Sequence, residues 1–268
     1  MNNKLVSYIL LTYNQELFVS SAIESALSQS YKPLEIIISD DCSTDTTVDV
    51  IKEVLEKYDV DCDVKINVNK ENIGIIKNME CAVRLAREDI VVLAAGDDIS
   101  YPHRVQTIVD TFNRDRNIKY IHSSVKLMYP TSQEKIVWES PGLNDFRSIF
   151  SAAKAQSLAI GATQAFKREI LVDFPIINSG VLAEDMVLGF RGLLVSGVKY
   201  IEEPLVLYRN ETGISFKNVS RSLRHRRNMY VRIQKLRDSV HCKNYSVAIY
   251  CVFLIIQSFL KSITSFSR

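Results

Sequence analysis

The 268-residue sequence predicts an α/β fold: a Rossmann-like, mostly parallel sheet with helices on both faces, followed by a helical C-terminal tail. Three observations carry this. Short apolar runs alternate with amphipathic stretches of about a dozen residues, the pattern of βαβ units. The early apolar runs end in loops rich in Thr, Asn, Asp and Ser, and from residue 217 onward the alternation stops. Right-handed crossovers gather such loops at one edge of the sheet, where open α/β sheets bind their ligands.

The elements follow in order. Val6 to Leu11 is the first strand; it ends in Thr12-Tyr13-Asn14-Gln15, and a helix follows with Phe18, Ala22, Ala26 and Leu27 on one face. Pro33 closes that helical region. Leu34 to Ile38 is a second strand, running out into Ser39-Asp40-Asp41-Cys42-Ser43-Thr44-Asp45. Val48, Ile51, Leu55 and Tyr58 recur at helical spacing, with Ser43, Thr44 or Asp45 placed to cap the start. Val64 to Val68 alternates as a third strand, and Asn72-Ile73-Gly74 leads into a helix with Ile75, Met79, Ala82, Val83 and Ala86 inside. The run Ile90 to Ala95 has buried-strand character and delivers Gly96-Asp97-Asp98 at its carboxyl end. Beyond Pro102 the pattern is less regular. Ile118 to Val125 and Gly161 to Phe166 read as strands, and Ala183 to Val195 as a helix opening on Glu184-Asp185.

Composition narrows the function. An apolar content of 47% supports a substantial core, and a net charge of +2 argues against a dedicated nucleic-acid binder. Cys42, Cys62, Cys81, Cys242 and Cys251 are scattered, so neither a disulfide framework nor a zinc site is expected. The first strand starts too early to leave room for a signal peptide, which points to a reducing, cytoplasmic location and makes the glycosylation triplets at Asn210, Asn218 and Asn244 chance matches. His103, His122, His225 and His241 lack ligand spacing and read as satisfied or solvated.

No P-loop and no dinucleotide fingerprint occurs, so phosphates must be held another way. Adjacent carboxylates at a strand end repel one another, which favours a cation between them and an anionic group. A nucleoside diphosphate carried on Mg²⁺ or Mn²⁺ answers that description, with Asp41 near base and ribose and Asp97 on the metal. Each residue also has a plainer use: Asp40, Asp41 and Asp45 as loop and cap residues, Glu184 and Asp185 as acids in a helix first turn, Tyr13 as a packed aromatic, Lys77 as a solvated helix residue.

The ordered set Ile9-Leu10-Leu11-Thr12-Tyr13-Asn14, Gln29-Ser30-Tyr31, Ser39 to Asp45, Asn72-Ile73-Gly74 and Gly96-Asp97-Asp98 resembles glycosyltransferase family 2, the inverting sugar transferases with the GT-A nucleotide-sugar fold. The likeness is strong over residues 4–105 and extends more loosely, through Ala183-Glu184-Asp185 and Leu207-Tyr208-Arg209, to about residue 216. It implies a domain of residues 1–216, with a nucleotide-sugar half over 1–105 and an acceptor half over 106–216. It implies that Leu11, Thr12, Tyr13, Asn14 and Asp41 cradle base and ribose, that Lys77 reaches phosphate, that Gly96 and Asp98 also contact the nucleotide sugar, and that Asp97 ligates a divalent metal. Asp185, paired with Glu184, would be the general base toward an acceptor hydroxyl. Arg209 would hold the diphosphate or make a structural salt bridge.

Two positions depart from the family pattern. Ala95 stands where many relatives carry the first carboxylate of Asp-x-Asp, so a ribose or metal contact is lost or passes to Asp98; Asn210-Glu211 stands where relatives often carry a His. Two rival functions are a sugar nucleotidyltransferase, whose Gly- and Arg/Lys-rich loop Thr12-Tyr13-Asn14-Gln15 lacks, and a nucleotide-sugar-binding subunit without turnover.

Residues 217–268 form the tail. Lys217, Arg221, Arg224, Arg226, Arg227, Arg232, Lys235, Arg237 and Lys243 face one acid, Asp238, and Tyr245 to Leu260 carries no charge. A basic segment followed by an uncharged run shorter than the roughly 20 residues of a spanning helix suggests a peripheral contact with the inner face of the cell membrane. Packing of both segments on the domain is the alternative. The acceptor expected of the whole is a glycan or lipid-linked saccharide.

Overall fold

The computed structural model describes residues 4–58, 62–128, 137–138, 148–155, 158–209 and 221–266; the features expected at Asn210 and Glu211 lie outside them. With elements numbered in chain order, one half of the sheet is β3 (Asp63–Val68), β2 (Leu34–Asp40), β1 (Val6–Thr12) and β4 (Ile90–Ala95), adjacent in that order and all parallel. The other half continues through β8 (Ala165–Lys167), antiparallel to β4, then β6 (Tyr120–Met128) and β9 (Val198–Arg209), parallel to each other, and ends at β5 (Ile99–Ser100). β7 (Val137–Trp138) pairs with β6.

The order reverses at β1, which has β2 on one side and β4 on the other, so a crevice opens at the carboxyl ends of β1 and β4. Register places the acidic loops around it: Leu11 lies opposite both Ser39 and Ala95, and Thr12 opposite Asp40.

Alternate strand residues feed two cores, as a period of two requires. Tyr8, Leu10, Ile36 and Ile38 meet α1 (Val19–Leu27), α2 (Thr47–Lys57) and α4 (Arg104–Arg114) on one face. Ile9, Leu11, Ile37, Val91 and Leu93 meet α3 (Ile75–Leu85), α5 (Ile149–Lys154), α6 (Glu169–Val172) and α7 (Glu184–Leu194) on the other. Each fully buried Ile or Leu contributes up to about 1.5–3 kcal/mol, so the paired layers explain why Tyr8 to Leu11, Ile36 to Ile38 and Ile90 to Ala95 are apolar without interruption.

Three details differ from the sequence reading. Gly161–Thr163 is a 3-10 turn, closed by the Thr163 amide donating to Ile160 O at 2.9 Å, and only Ala165–Lys167 continues as strand. β9 spans twelve residues that the sequence reading did not assign to a strand; Pro204 fits because the β6–β9 register shifts beside Ser124, where no regular ladder bond is needed. His122 is neither satisfied nor solvated. It is fully buried, tilted against the Tyr200 ring at 4.8 Å with neither ring nitrogen hydrogen-bonded, and burial pushes its pKa down to about 4, which keeps it neutral.

The tail forms two helices, α8 (Arg221–His241) and α9 (Tyr245–Phe266), that extend the second core. Val231 of α8 and Val247, Cys251 and Leu254 of α9 are buried there. Arg191 of α7 and Asp238 of α8 form a fully buried ion pair at 2.9 Å. Lys235 is buried as well and donates to Ala152 O at 2.9 Å and Ala155 O at 3.3 Å, fastening α8 to the end of α5. Part of the basic and apolar tail is therefore structural, and no helix among the described residues is long and apolar enough to cross a membrane.

Candidate active site

The loops at the carboxyl edge are held by their own polar side chains. Asp40 accepts from Thr12 Oγ1 (2.8 Å), Ser43 N (2.7 Å) and Ser43 Oγ (2.6 Å). The loop after β1 is laced to the one after β2: Asn14 N donates to Ser43 Oγ at 2.8 Å, Thr44 N to Asn14 Oδ1 at 2.8 Å, and Gln15 N to Thr47 Oγ1 at 2.7 Å. Asn14 and Cys42 adopt the left-handed region, with φ of 52° and 61°. Such backbone is costly outside glycine, and these side-chain bonds hold it. The side chains of Thr12 and Asn14 thus shape the loop, whereas Tyr13 is half-buried at its tip.

Asp41 is buried and latches the loop before α3: it accepts from Asn69 Nδ2 (3.0 Å), Ile73 N (2.9 Å) and Gly74 N (2.8 Å). Three bonds leave about one of a carboxylate's four acceptor positions for a donor such as a base N–H. Gly74, at φ 82°, opens α3, and Lys77 is exposed in its first turn.

Gly96 follows β4 and donates to Leu11 O at 2.9 Å. A Cβ there would stand 2.4 Å from Gln15 Oε1 and 2.8 Å from Thr12 Cγ2, so the two loops can approach this closely only across a glycine. Asp97 and Asp98 come next, both buried. Asp98 accepts from Arg209 N at 2.8 Å, and Arg209 Nε donates to Asp97 O at 3.1 Å while its guanidinium lies 4.3 Å over the Phe18 ring. Arg209 is therefore fixed by backbone and ring contacts at the loop after β4. Burial, then the Asp97 charge, raises the Asp98 pKa well above the ordinary range.

Glu184 and Asp185 open α7. Glu184 is buried; its Oε1 accepts from Gln164 Nε2 at 3.3 Å, and that amide is oriented by Tyr120 Oη donating to Gln164 Oε1 at 3.0 Å. Burial raises both pKa values, and Glu184 is raised further by the Asp185 charge. Asp185 is held down by the amides of Met186 and Asp185 and by Lys235. Burial thus raises the pair as a whole, and the amides and Lys235 favour negative charge on Asp185. A carboxylate at the opposite edge shows the contrast: Glu35, buried too, takes bonds from Ser7, Arg87 and Lys65 that outweigh burial and lower its pKa.

Tyr208 ties the corners together. Its pKa is pushed up to about 12 by burial and then by the carboxylates of Asp98, Asp97 and Asp185. The hydroxyl near the end of β9 thus lies within electrostatic reach of both the loop after β4 and the start of α7. Gln164, Tyr120 and Tyr208 were not among the residues the sequence singled out; only Tyr208, inside Leu207-Tyr208-Arg209, carried a signal.

No group of three or more His, Cys, Asp or Glu among the described residues forms a metal site by itself. Asp97 beside Asp98 still suits a hard cation that arrives with phosphate oxygens, because such ions are commonly held by one or two carboxylates plus substrate phosphates. After burial, the Asp97 charge is among the causes that raise the Asp98 pKa, and such an ion would offset it.

Residues 7–174 match the model of the family described as Glycosyl transferase family 2. The chain is 30% identical over 243 residues to dTDP-rhamnosyl transferase RfbG of Shigella flexneri, covering 83% of this chain and 81% of that one. Its fold is similar to S. aureus TarS 1-349 solved in complex with UDP-GlcNAc (TM-score 0.65, 18% identity, 87% of this chain and 66% of that one). It is also similar to the mannosyltransferase PcManGT of Pyrobaculum calidifontis solved with GDP-Man and Mn²⁺ (TM-score 0.60, 19% identity, 92% of this chain and 72% of that one).

Proposed function

The chain belongs to glycosyltransferase family 2, and from that premise we propose that it moves a sugar, with inversion, from a nucleoside-diphosphate sugar to a hydroxyl of a glycan or lipid-linked acceptor in cell-surface polysaccharide synthesis. The observation that carries this reading is that Asp41, Asp97 and Asp98 follow the carboxyl ends of β2 and β4, where the strand order reverses, and that Gln164, bonded to Leu93 of β4, links Glu184 and its neighbour Asp185 to that strand. A cluster of acids beside a strand switch point suits a cation-borne diphosphate on one side and a hydroxyl nucleophile on the other.

In this reading Leu11, Thr12, Tyr13, Asn14 and Asp41 receive base and ribose, with Asp41 offering its remaining acceptor position. Lys77 and Arg209 lie toward the diphosphate. Asp97, with Gly96 allowing close approach and Asp98 behind it, would hold Mn²⁺ or Mg²⁺, which when bound offsets charge on the leaving diphosphate. Asp185 takes the proton of the acceptor hydroxyl as its oxygen bonds to the anomeric carbon. The bond from that carbon to the diphosphate oxygen breaks, and its electron pair leaves with the nucleoside diphosphate. Glu184 positions the first turn of α7 through its bond from Gln164. The acceptor half, residues 106–216, and a peripheral contact of residues 217–268 at the cytoplasmic face of the cell membrane complete the reading. The nucleotidyltransferase alternative falls with the family assignment.

Incubation with a panel of UDP-, GDP- and dTDP-sugars, Mn²⁺ and saccharide acceptors tests this. Nucleoside diphosphate released in step with an inverted glycosidic product is the expected result. Donor binding with no transfer across the panel would instead support the subunit without turnover.

A further inference from the structure

The two sides of α9 have opposite fates. Val247, Ala248, Cys251 and Leu254 are buried, whereas Ile249, Val252, Phe253, Ile256, Phe259 and Leu260 are 42–71% exposed. Their spacing draws one continuous stripe along the helix. It spans twelve residues, about 17 Å from first to last at a rise of 1.5 Å per residue. On α5, Phe150, 39% exposed, meets the Tyr250 ring edge-on at 5.4 Å and extends the patch.

Among the described residues, the exposed charge on these helices and the turn between α8 and α9 has one sign. Lys154, Arg226, Arg237 and Lys243 are exposed on or beside α5, α8 and α9. Asp238 is the only acid in these three helices, and it is buried against Arg191. Lys235 is withdrawn into the core, so the charge meeting solvent is smaller than the sequence count but is not offset by an acid of these helices.

We infer that the α5, α8 and α9 layer docks on an anionic lipid bilayer, with α9 lying in the plane of the interface and its stripe inserted among the acyl chains. Charge decides between this and a second copy of the chain. A two-fold dimer through the stripe would set like rims of Lys and Arg against each other, whereas anionic headgroups neutralise them. α7, which carries Asp185, packs on α5 and α8, so the acceptor side of the cleft adjoins the same layer. This deepens the membrane contact of the reading above and rests on it only for the acceptor; vesicle binding itself does not depend on sugar transfer.

The test is co-sedimentation of the full chain with vesicles of phosphatidylcholine alone or mixed with phosphatidylglycerol, alongside turnover on a soluble acceptor. Retention is expected on the anionic vesicles, on the order of tenfold weaker on neutral ones and in high salt. Ile249→Asp with Phe253→Asp should abolish retention without lowering soluble turnover. Arg226→Glu with Lys243→Glu should weaken retention on anionic vesicles with the thermal midpoint unchanged, and serves if the first pair fails to fold. Equal retention on both vesicles, retention on neither, or a stable dimer lost in the Asp variants without vesicle binding would overturn the inference.

Discussion

Replacing Arg191 by Met removes the cation that fastens α7 to α8 and should cost about 3–5 kcal/mol of stability, the usual cost of leaving one member of a buried pair behind. The guanidinium is fully buried and makes four bonds: to Asp238 Oδ2 (2.9 Å) and Oδ1 (3.3 Å), to Ile170 O (3.0 Å) and to Pro175 O (2.5 Å). Met fills much of the volume but donates nothing. Asp238 would keep Gln234 Nε2 at 2.9 Å and no buried cation. At roughly 2–4 °C per kcal/mol for a chain of this size, the midpoint should fall by about 6–20 °C. Adding Asp238→Leu should recover most of the loss, since an apolar replacement of a whole buried pair is commonly neutral or stabilising. Differential scanning calorimetry with denaturant titration of both variants measures this. A single variant that loses less than about 1 kcal/mol, or a double variant as unstable as the single, would refute the claim that the tail is part of the domain's core.

Further outcomes follow from the site. Asp185→Asn should lower kcat by about 10²–10⁴-fold, the usual share of a general base, with donor affinity unchanged; unaltered turnover would remove Asp185 from the chemistry. Because burial raises the Asp185 pKa, the acid limb of the pH–rate profile should lie above the ordinary carboxylate range. Lys235→Met removes a cation that holds Asp185 down, so it should move the limb to still higher pH, and an unmoved limb counts against the electrostatic link. Asp41→Ala frees three donors of the 69–74 loop and should cost at least about 1.5–3 kcal/mol along with donor affinity, read by thermal shift with and without nucleotide; weakened affinity at full stability would mean that Asp41 does not latch the loop.

The parallel half of the fold was legible because its signals are local. Apolar runs such as Leu34 to Ile38 and the acidic loops that follow them sit next to one another in the chain, and register then brings them to one edge. The second half was harder for two reasons. Val105, Ile108, Val109 and Phe112 do carry the spacing of α4, a pattern present and passed over, whereas β9 hides behind Glu202, Glu203 and Pro204, whose strand needs a register shift seen only against β6. Within the site, Glu184-Asp185 could be found from its motif. Gln164 and Tyr120 could not, because their roles arise from pairing across 20 and 44 residues. The tail's charge count misled in part: Lys235 and Asp238 face inward because of partners on α5 and α7 far earlier in the chain.

The proposed reaction requires separate acidic corners to meet around one cation-borne diphosphate with Asp185 toward the acceptor. Anomalous diffraction from crystals grown with nucleoside diphosphate and Mn²⁺ tests it most directly. The account predicts a manganese peak bonded to the Asp97 carboxylate and to phosphate oxygens, with the base near Asp41 and Tyr13, and loss of the peak in Asp97→Ala. A nucleotide bound elsewhere on the molecule, or a manganese ion that persists without Asp97, would contradict it.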